Sequence, residues 1–335
     1  MSLTSIGDLA QSYLLRRHNT DLKSQLTTLA EELASGRAAD TGKHLSGSYS
    51  YLADVERKLS LLDGYTSTSN EARILSSSMQ DTLEGFQNVA LELGNSLLSS
   101  SQAKMANVTV SASRRAAEDF ASLISKINVS VGGRHIFSGI QTDAPALAEP
   151  DVILDALKSE IASETTLDGI STKLNDWFAV SGAYDTIAYQ GDATPLANIS
   201  LREGEDVSLT IKGDDPAIRD VLKYVAMGAL ASDPDLGFAT DLQNELIEFA
   251  GKNLSFQHDG VTQIRAELGY DQEKIDESST RLSAERTALE LAKSELLSVD
   301  PFETVSRLEA VQTQLESLYG VTARLSRLSL SNYLT

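Results

Sequence analysis

Both ends of this chain carry leucines at the spacing of a helix seam, and that feature limits what the chain can become. Near the C-terminus Leu308, Val311, Leu315, Leu318 and Leu325 recur at three- and four-residue steps, with Thr322 in the one weaker position. Near the N-terminus Leu15, Leu22 and Leu29 stand seven apart, Leu26 and Leu33 fill the alternate positions, and the polar Asn19 can fix register. A helix cannot bury such a stripe by itself. Leu325, Leu328, Leu330 and Leu334 crowd the last turns, so something must cover them. Each end is the natural cover for the other. The plainer alternative is a helical bundle whose first and last helices happen to pack together.

The start of the terminal helix is marked in the sequence. Asp300 can cap it, Pro301 suits its first position, and Glu303 sits where the acid of a capping box belongs. The first helix should fill residues 1–35 and stop at Ser35-Gly36. Residues 36–48 hold three glycines and read as a connection. Leu52, Val55, Leu59 and Leu62, then Leu75, Met79, Phe86, Val89, Leu93 and Leu97, predict a long helix over 49–99, weakened or broken near Gly64. At ~1.5 Å per residue such a rod is roughly 75 Å long. A further helix is expected over 103–131, its inner face running from Met105 and Val108 through Phe120 to Val131, with Gly132-Gly133 ending it. Arg134 to Gly139 should form a short extended turn.

The middle of the chain has a different texture. Short helices are expected near 151–162 and 167–180, the second carrying the only tryptophan, Trp177. Ile199 and Leu201, and then Val207, Leu209 and Ile211, alternate with polar residues. Glu203-Gly204-Glu205-Asp206 reads as the hairpin loop between them. Helices should follow over 216–230 and 238–250. After Gly251 a seven-residue column returns: Val261, Leu268, Ile275, Leu282, Leu289 and Leu296. Its companion column is poor, running from Ile264 through the polar Asp271, Ser278 and Glu285 to Ala292 and Val299, which implies a narrow seam and a wide wet face. The fold class is therefore mainly α, a long antiparallel helical coiled-coil rod formed by the N- and C-terminal segments, with a small inserted α+β module. Three domains are expected: residues 1–45 with 300–335 as a terminal coiled-coil core, 46–140 with 255–299 as a helical rod, and 141–254 as an inserted outer domain.

Charge and chemistry narrow the function. A net charge of −20 disfavours nucleic acid and anionic membrane surfaces as partners. The chain has no cysteine, which excludes disulfides, thiolate metal sites and cysteine nucleophiles. No apolar run approaches the ~20 residues of a membrane span. The arginines near the N-terminus follow the apolar residues instead of preceding them, so a cleaved signal peptide is not expected. His18, His44, His135 and His258 are scattered without metal-ligand spacing, and Gly251-Lys252 lacks the upstream glycine of a phosphate loop. Asp214-Asp215 before Pro216 reads as a turn into a helix N-terminus. No enzyme, cofactor or metal is indicated.

Specific residues then carry a resemblance. Leu315-Glu316-Ser317-Leu318-Tyr319, followed by the stretch from Ala323 to Leu334, resembles the C-terminal helix of the bacterial flagellin superfamily, and most of all its hook–filament junction branch. Gly133 to Gly139 ahead of Thr142-Asp143 is similar to that superfamily's turn into the outer domain. Tyr189-Gln190-Gly191-Asp192 is similar to its outer β module, and Ser35-Gly36-Arg37 to its serine-glycine-basic turn. One departure is Ala38-Ala39-Asp40-Thr41-Gly42, where paired aspartates near a proline are usual. The resemblance implies a structural subunit of the bacterial flagellum, extracellular, exported without a cleaved signal peptide, that adapts hook to filament. Its implied partners are copies of itself, neighbouring axial proteins such as flagellin and another hook-associated protein, and an export chaperone. A flagellin filament subunit is the alternative, and a cytosolic coiled-coil scaffold a more distant one. The expected assembly interface is Leu22, Leu26, Leu29, Leu33, Leu308, Val311, Leu315, Leu318, Leu325 and Leu328.

Overall fold

The computed structural model describes residues 4–47 and 49–333, with side-chain burial over 10–47 and 49–325. Helix α1 (Thr4–Ser35) stops where the sequence places its stop. Gly36 takes φ +68°, the left-handed conformation that glycine adopts without a Cβ penalty, and its N–H bonds the Glu32 carbonyl at 2.8 Å. The segment that follows, expected to be a bare connection, holds one helical turn, α2 (Thr41–His44), because the Asp40 carboxylate accepts from the Lys43 N–H at 3.0 Å. Ser48, at the end of that connection, lies outside the described residues.

Helix α3 (Ser50–Ala103) is continuous, and the expected weakness at Gly64 does not break it. Gly64 sits in open space, so it costs only helix propensity, about 1 kcal/mol relative to alanine. Packing just beyond it offsets that cost: Ser69 and Ala72 are buried, and the Thr68 hydroxyl donates to the Ser200 carbonyl at 2.6 Å. Helix α4 (Ala106–Ile127) begins later than expected, because Lys104 takes φ 48° and turns the chain. Met105, expected on the inner face, is therefore exposed, while Ala112, Ala116, Phe120, Leu123 and Ile127 are buried. The helix also ends earlier than expected. Gly132 and Gly133, with φ of 60° and 81°, form the two-residue turn of a hairpin between β1 (Ser130–Val131) and β2 (Arg134–His135).

Helices α5 (Pro150–Ile161) and α6 (Leu167–Phe178) and a π-helical turn (Tyr184–Ala188) come next. Antiparallel β3 (Ile199–Arg202) and β4 (Glu205–Val207) pair Ile199 with Val207. The hairpin loop is shorter than expected, since Glu205 and Asp206 belong to the strand. Leu209, which was also expected in the ladder, leaves it but stays buried. Helix α7 (Pro216–Leu230) starts at Asp215, whose side chain accepts from the Ala217 N–H at 2.9 Å.

Helix α8 (Thr240–Leu297) runs unbroken through Gly251, where two segments were expected. A Cβ on Gly251 would stand 3.0 Å from the Gly94 carbonyl oxygen and 3.0 Å from the Leu98 nitrogen. The glycine therefore serves close approach of α8 to α3 and does not end a helix. Helix α9 (Pro301–Tyr333) is the last described element.

The described chain divides into two compact units, Met1–Leu62 with Ser283–Thr335, and Asp63–Leu282. The larger unit has one continuous apolar core, in which Phe86, Phe120, Phe137 and Tyr184 are fully enclosed. Arg219 is buried, donates from Nε to the Asp214 carbonyl at 2.6 Å, ion-pairs with Asp185, and lies 4.6 Å from the centre of the Tyr184 ring. Gly139, at φ +62°, allows the chain to dock on the Tyr189–Asp192 stretch: the Asp192 N–H bonds the Ser138 carbonyl at 2.9 Å and the Ile140 N–H bonds Thr194 at 3.1 Å.

Candidate assembly surface

The surface of interest is in the smaller unit. Residues 36–38 form an antiparallel bridge to residues 297–299: the Ala38 N–H bonds the Leu297 carbonyl at 2.9 Å and the Val299 N–H bonds the Gly36 carbonyl at 3.1 Å. That stitch sets α1 and α9 side by side and antiparallel, with Ser24 and Gln25 at the level of Gln314. Asp300 caps α9 as expected, accepting from the Phe302 N–H at 2.8 Å and the Glu303 N–H at 3.3 Å. Glu303 pairs with Arg307 one turn on. Below the pair, Leu52, Val55 and Leu62 of α3 are buried, and Lys293 of α8 reaches Glu56 at 2.7 Å. Asp54 is held below the usual carboxylate range, chiefly by its hydrogen bond from Arg57.

The expected interface residues fall into three groups. Val311 is buried, and Leu22, Leu26, Leu29, Leu308, Leu315, Leu318 and Leu325 are half-buried along the α1–α9 seam, with Asn19 and Leu15 beside them. Leu33 does not join that seam and is exposed. Glu32 turns inward in its place, its carboxylate accepting from the Ala39 N–H at 2.9 Å, because the chain folds back over that side of α1. Leu328, with Leu330 and Leu334, lies outside the described side chains.

The seam leucines thus cover each other within one chain, and half-burial is as far as two helices alone can take them. Sequence reasoning missed a second set. Tyr13, Leu14, Phe302, Tyr319 and Val321 stand exposed on the outer faces of α1 and α9. The signal was present, as large apolar residues off the heptad positions of helices whose seam was already assigned. Between the helices and α2 lies a cleft of about 620 Å³, continuous in its lining with a second of about 370 Å³; Lys43, Asp40 and Arg307 border both.

Among the described residues no group of three or more His, Cys, Asp or Glu side chains is placed to hold a metal. His258 contacts Gln87 at 2.6 Å, and His135 contacts the Asn128 carbonyl at 2.8 Å. No helix among the described residues is long and apolar enough to cross a membrane.

Comparison with known families places these ends. The model described as the bacterial flagellin N-terminal helical region matches residues 6–142, and the one described as the bacterial flagellin C-terminal helical region matches 253–334, together about two thirds of the chain. The chain belongs to the bacterial flagellin family. Membership makes it a structural component of the flagellum, and it implies self-assembly and association with other axial proteins. Among solved structures, the flagellin-family fold seen here is similar to that of a protein assigned as flagellar hook-associated from Vibrio parahaemolyticus, at 13% identity and a TM-score of 0.51, over 73% of this chain and 95% of that one. It is also similar to FlgL of Bacillus cereus, at 13% identity and a TM-score of 0.51, over 72% of this chain and 100% of that one. A comparison with curated proteins finds no match. Family membership also sets aside the cytosolic scaffold reading.

Proposed function

We propose that this flagellin-family chain is a hook-associated subunit at the hook–filament junction. The observation that carries the reading is the likeness to two structures described as hook-associated or FlgL, whose whole or nearly whole length is matched. In this reading the terminal segments 1–45 and 300–335 form the inner core of the axial assembly, and Leu22, Leu26, Leu29, Leu33, Leu308, Val311, Leu315, Leu318, Leu325 and Leu328 hold it together. Residues 46–140 with 255–299 carry the rod, and 141–254 faces outward. The chain leaves the cell unfolded through the flagellar export apparatus, with a chaperone and without a cleaved signal peptide, and contacts flagellin and another hook-associated protein at the junction.

A filament subunit is the second reading, and the match of both terminal segments to flagellin models favours it. Antibody labelling of detached flagella separates the two by electron microscopy. A single labelled spot between hook and filament is the expected result. Label along the whole filament overturns the junction reading and makes the chain a filament subunit.

A further inference from the structure

In the larger unit α3 meets α8 through a buried amide. Gln87 is 4% exposed and sits among Leu83, Phe86 and Ala90 of its own helix, all buried. Its side chain spans two turns of α8. Arg265 Nη1 donates to Gln87 Oε1 at 2.6 Å, and Arg265 Nη2 donates to Glu84 at 2.9 Å. Gln87 Nε2 donates to Thr262 Oγ1 at 2.8 Å and faces His258 Nδ1 at 2.6 Å, with His258 Nε2 farther off at 3.4 Å. The His258 carbonyl lies 3.3 Å from the same amide nitrogen and already accepts from the Thr262 hydroxyl at 2.8 Å.

Elementary chemistry places the protons in this chain of bonds. A guanidinium can only donate, so the Gln87 atom that faces Arg265 is the carbonyl oxygen. The amide nitrogen is thereby turned toward His258. It too can only donate, so Nδ1 accepts. The imidazole is therefore neutral, with its proton on Nε2. Protonation would set one N–H against another. Turning the amide over would satisfy the charged ring and set the amide N–H groups against Arg265 instead. Either way a buried hydrogen bond is lost.

The charged groups of the packed elements are engaged elsewhere. Helix α3 brings Glu84, held by Arg265, while its Glu92 lies toward Asp119 of α4. Helix α7 approaches at Ala217, 3.3 Å from where a Cβ on Gly260 would stand. It brings Asp215, which caps its own helix, Arg219, paired with Asp185, and Asp220, paired with Lys223. Helix α8 itself carries Asp259 and Arg265. Among the described residues none of these acids forms an ion pair with the His258 ring.

We propose that His258 is a proton-sensitive latch between α3 and α8: uptake of a proton by its imidazole breaks the Gln87 chain of bonds and loosens α8 on α3 at these turns. Imidazoles change charge between about pH 5 and 8, so the latch is closed at the alkaline end of that range and open at the acid end. The closed seam holds the neutral ring and the opened one takes up the extra proton, so the stability the latch contributes is present at high pH and lost as pH falls. The inference rests on the α3–α8 contact alone and not on the junction reading.

The full chain, isotope-labelled in its histidines and glutamines, is titrated from pH 8 to pH 5 by nuclear magnetic resonance. His258→Gln and Gln87→Leu identify the two sets of signals. Amide exchange over residues 254–268 is followed by mass spectrometry as a ratio to α4 at each pH. The expected result is a ring protonated on Nε2 at pH 8, with Gln87 side-chain signals that move at the same midpoint as the ring. The exchange ratio should rise about tenfold across that midpoint, the factor that one buried hydrogen bond is worth, and His258→Gln should lose the rise. A ring protonated on Nδ1 at pH 8, Gln87 signals that stay fixed while the ring titrates, an exchange ratio that does not rise, or an equal rise in His258→Gln overturns the proposal.

Discussion

Single residues in this chain are set by what their backbone must approach. Gly251 and Gly64 read alike in the sequence, each a glycine inside a helical pattern, yet they face opposite surroundings. Gly64→Ala adds a methyl in open space and should stabilise the larger unit by about 1 kcal/mol. Gly251→Ala places the same methyl against backbone atoms of α3 and should destabilise it by about 1–3 kcal/mol, less the helix-propensity gain. Urea unfolding of the two variants checks the opposite signs. Asp215 gives a pH test. Burial raises its carboxyl above the ordinary range, against the lowering effect of its hydrogen bond from Ala217. Its charged form is therefore penalised in the fold, and the stability it contributes is present at low pH and lost as pH rises through the raised value. Asparagine caps as well as aspartate. Asp215→Asn should thus gain stability over the native chain at pH 7 and lose that advantage near pH 4. An advantage of equal size at both pH values would contradict the burial account.

At the level of elements, the sequence disclosed what is local and hid what is made by contact. The seam leucines, the Asp300-Pro301 start, the Gly36 stop and the Asp215 cap were all readable, because spacing and capping act within a few residues. The continuity of α3 through Gly64 and of α8 through Gly251 was not, because packing from segments far along the chain overrides weak propensity there. Leu33 fits the heptad but is displaced by the return of residues 36–39, an event no periodicity records. The exposed set around Phe302 was hidden for a similar reason: only the seated pair shows which apolar residues remain uncovered. Elements also predict separability. Leu315→Asp with Leu318→Asp puts two charges into the α1–α9 seam and none into the larger unit. The variant should lose incorporation into flagella on blotting while the near-ultraviolet circular dichroism around Trp177 is unchanged. Normal incorporation would count against a structural role for the seam.

For the whole molecule, burial is unevenly distributed. The larger unit encloses aromatic and aliphatic side chains completely, whereas the α1–α9 seam stays largely half-buried. Ordering two helices of that length costs more conformational entropy than such a seam returns, so in a dilute monomer the pair should open far more readily than the core. Amide exchange should show α1 and α9 exchanging well ahead of α4 and α7, and slowing once the chain is assembled. Equal protection of all four in the monomer would show that the ends need no neighbours.

The bridge between residues 36–38 and 297–299 also has a temporal meaning. It joins stretches separated by most of the polypeptide, so the pair it organises has a very high contact order and must be late to form. For a polypeptide delivered one end first, α1 waits without its mate until α9 arrives. A copy cut short before residue 297 would hold an unpaired first helix and could not complete the stitch. Closure of the bridge thus requires both ends of the same chain, and the α1–α9 pair exists only in a copy that carries them.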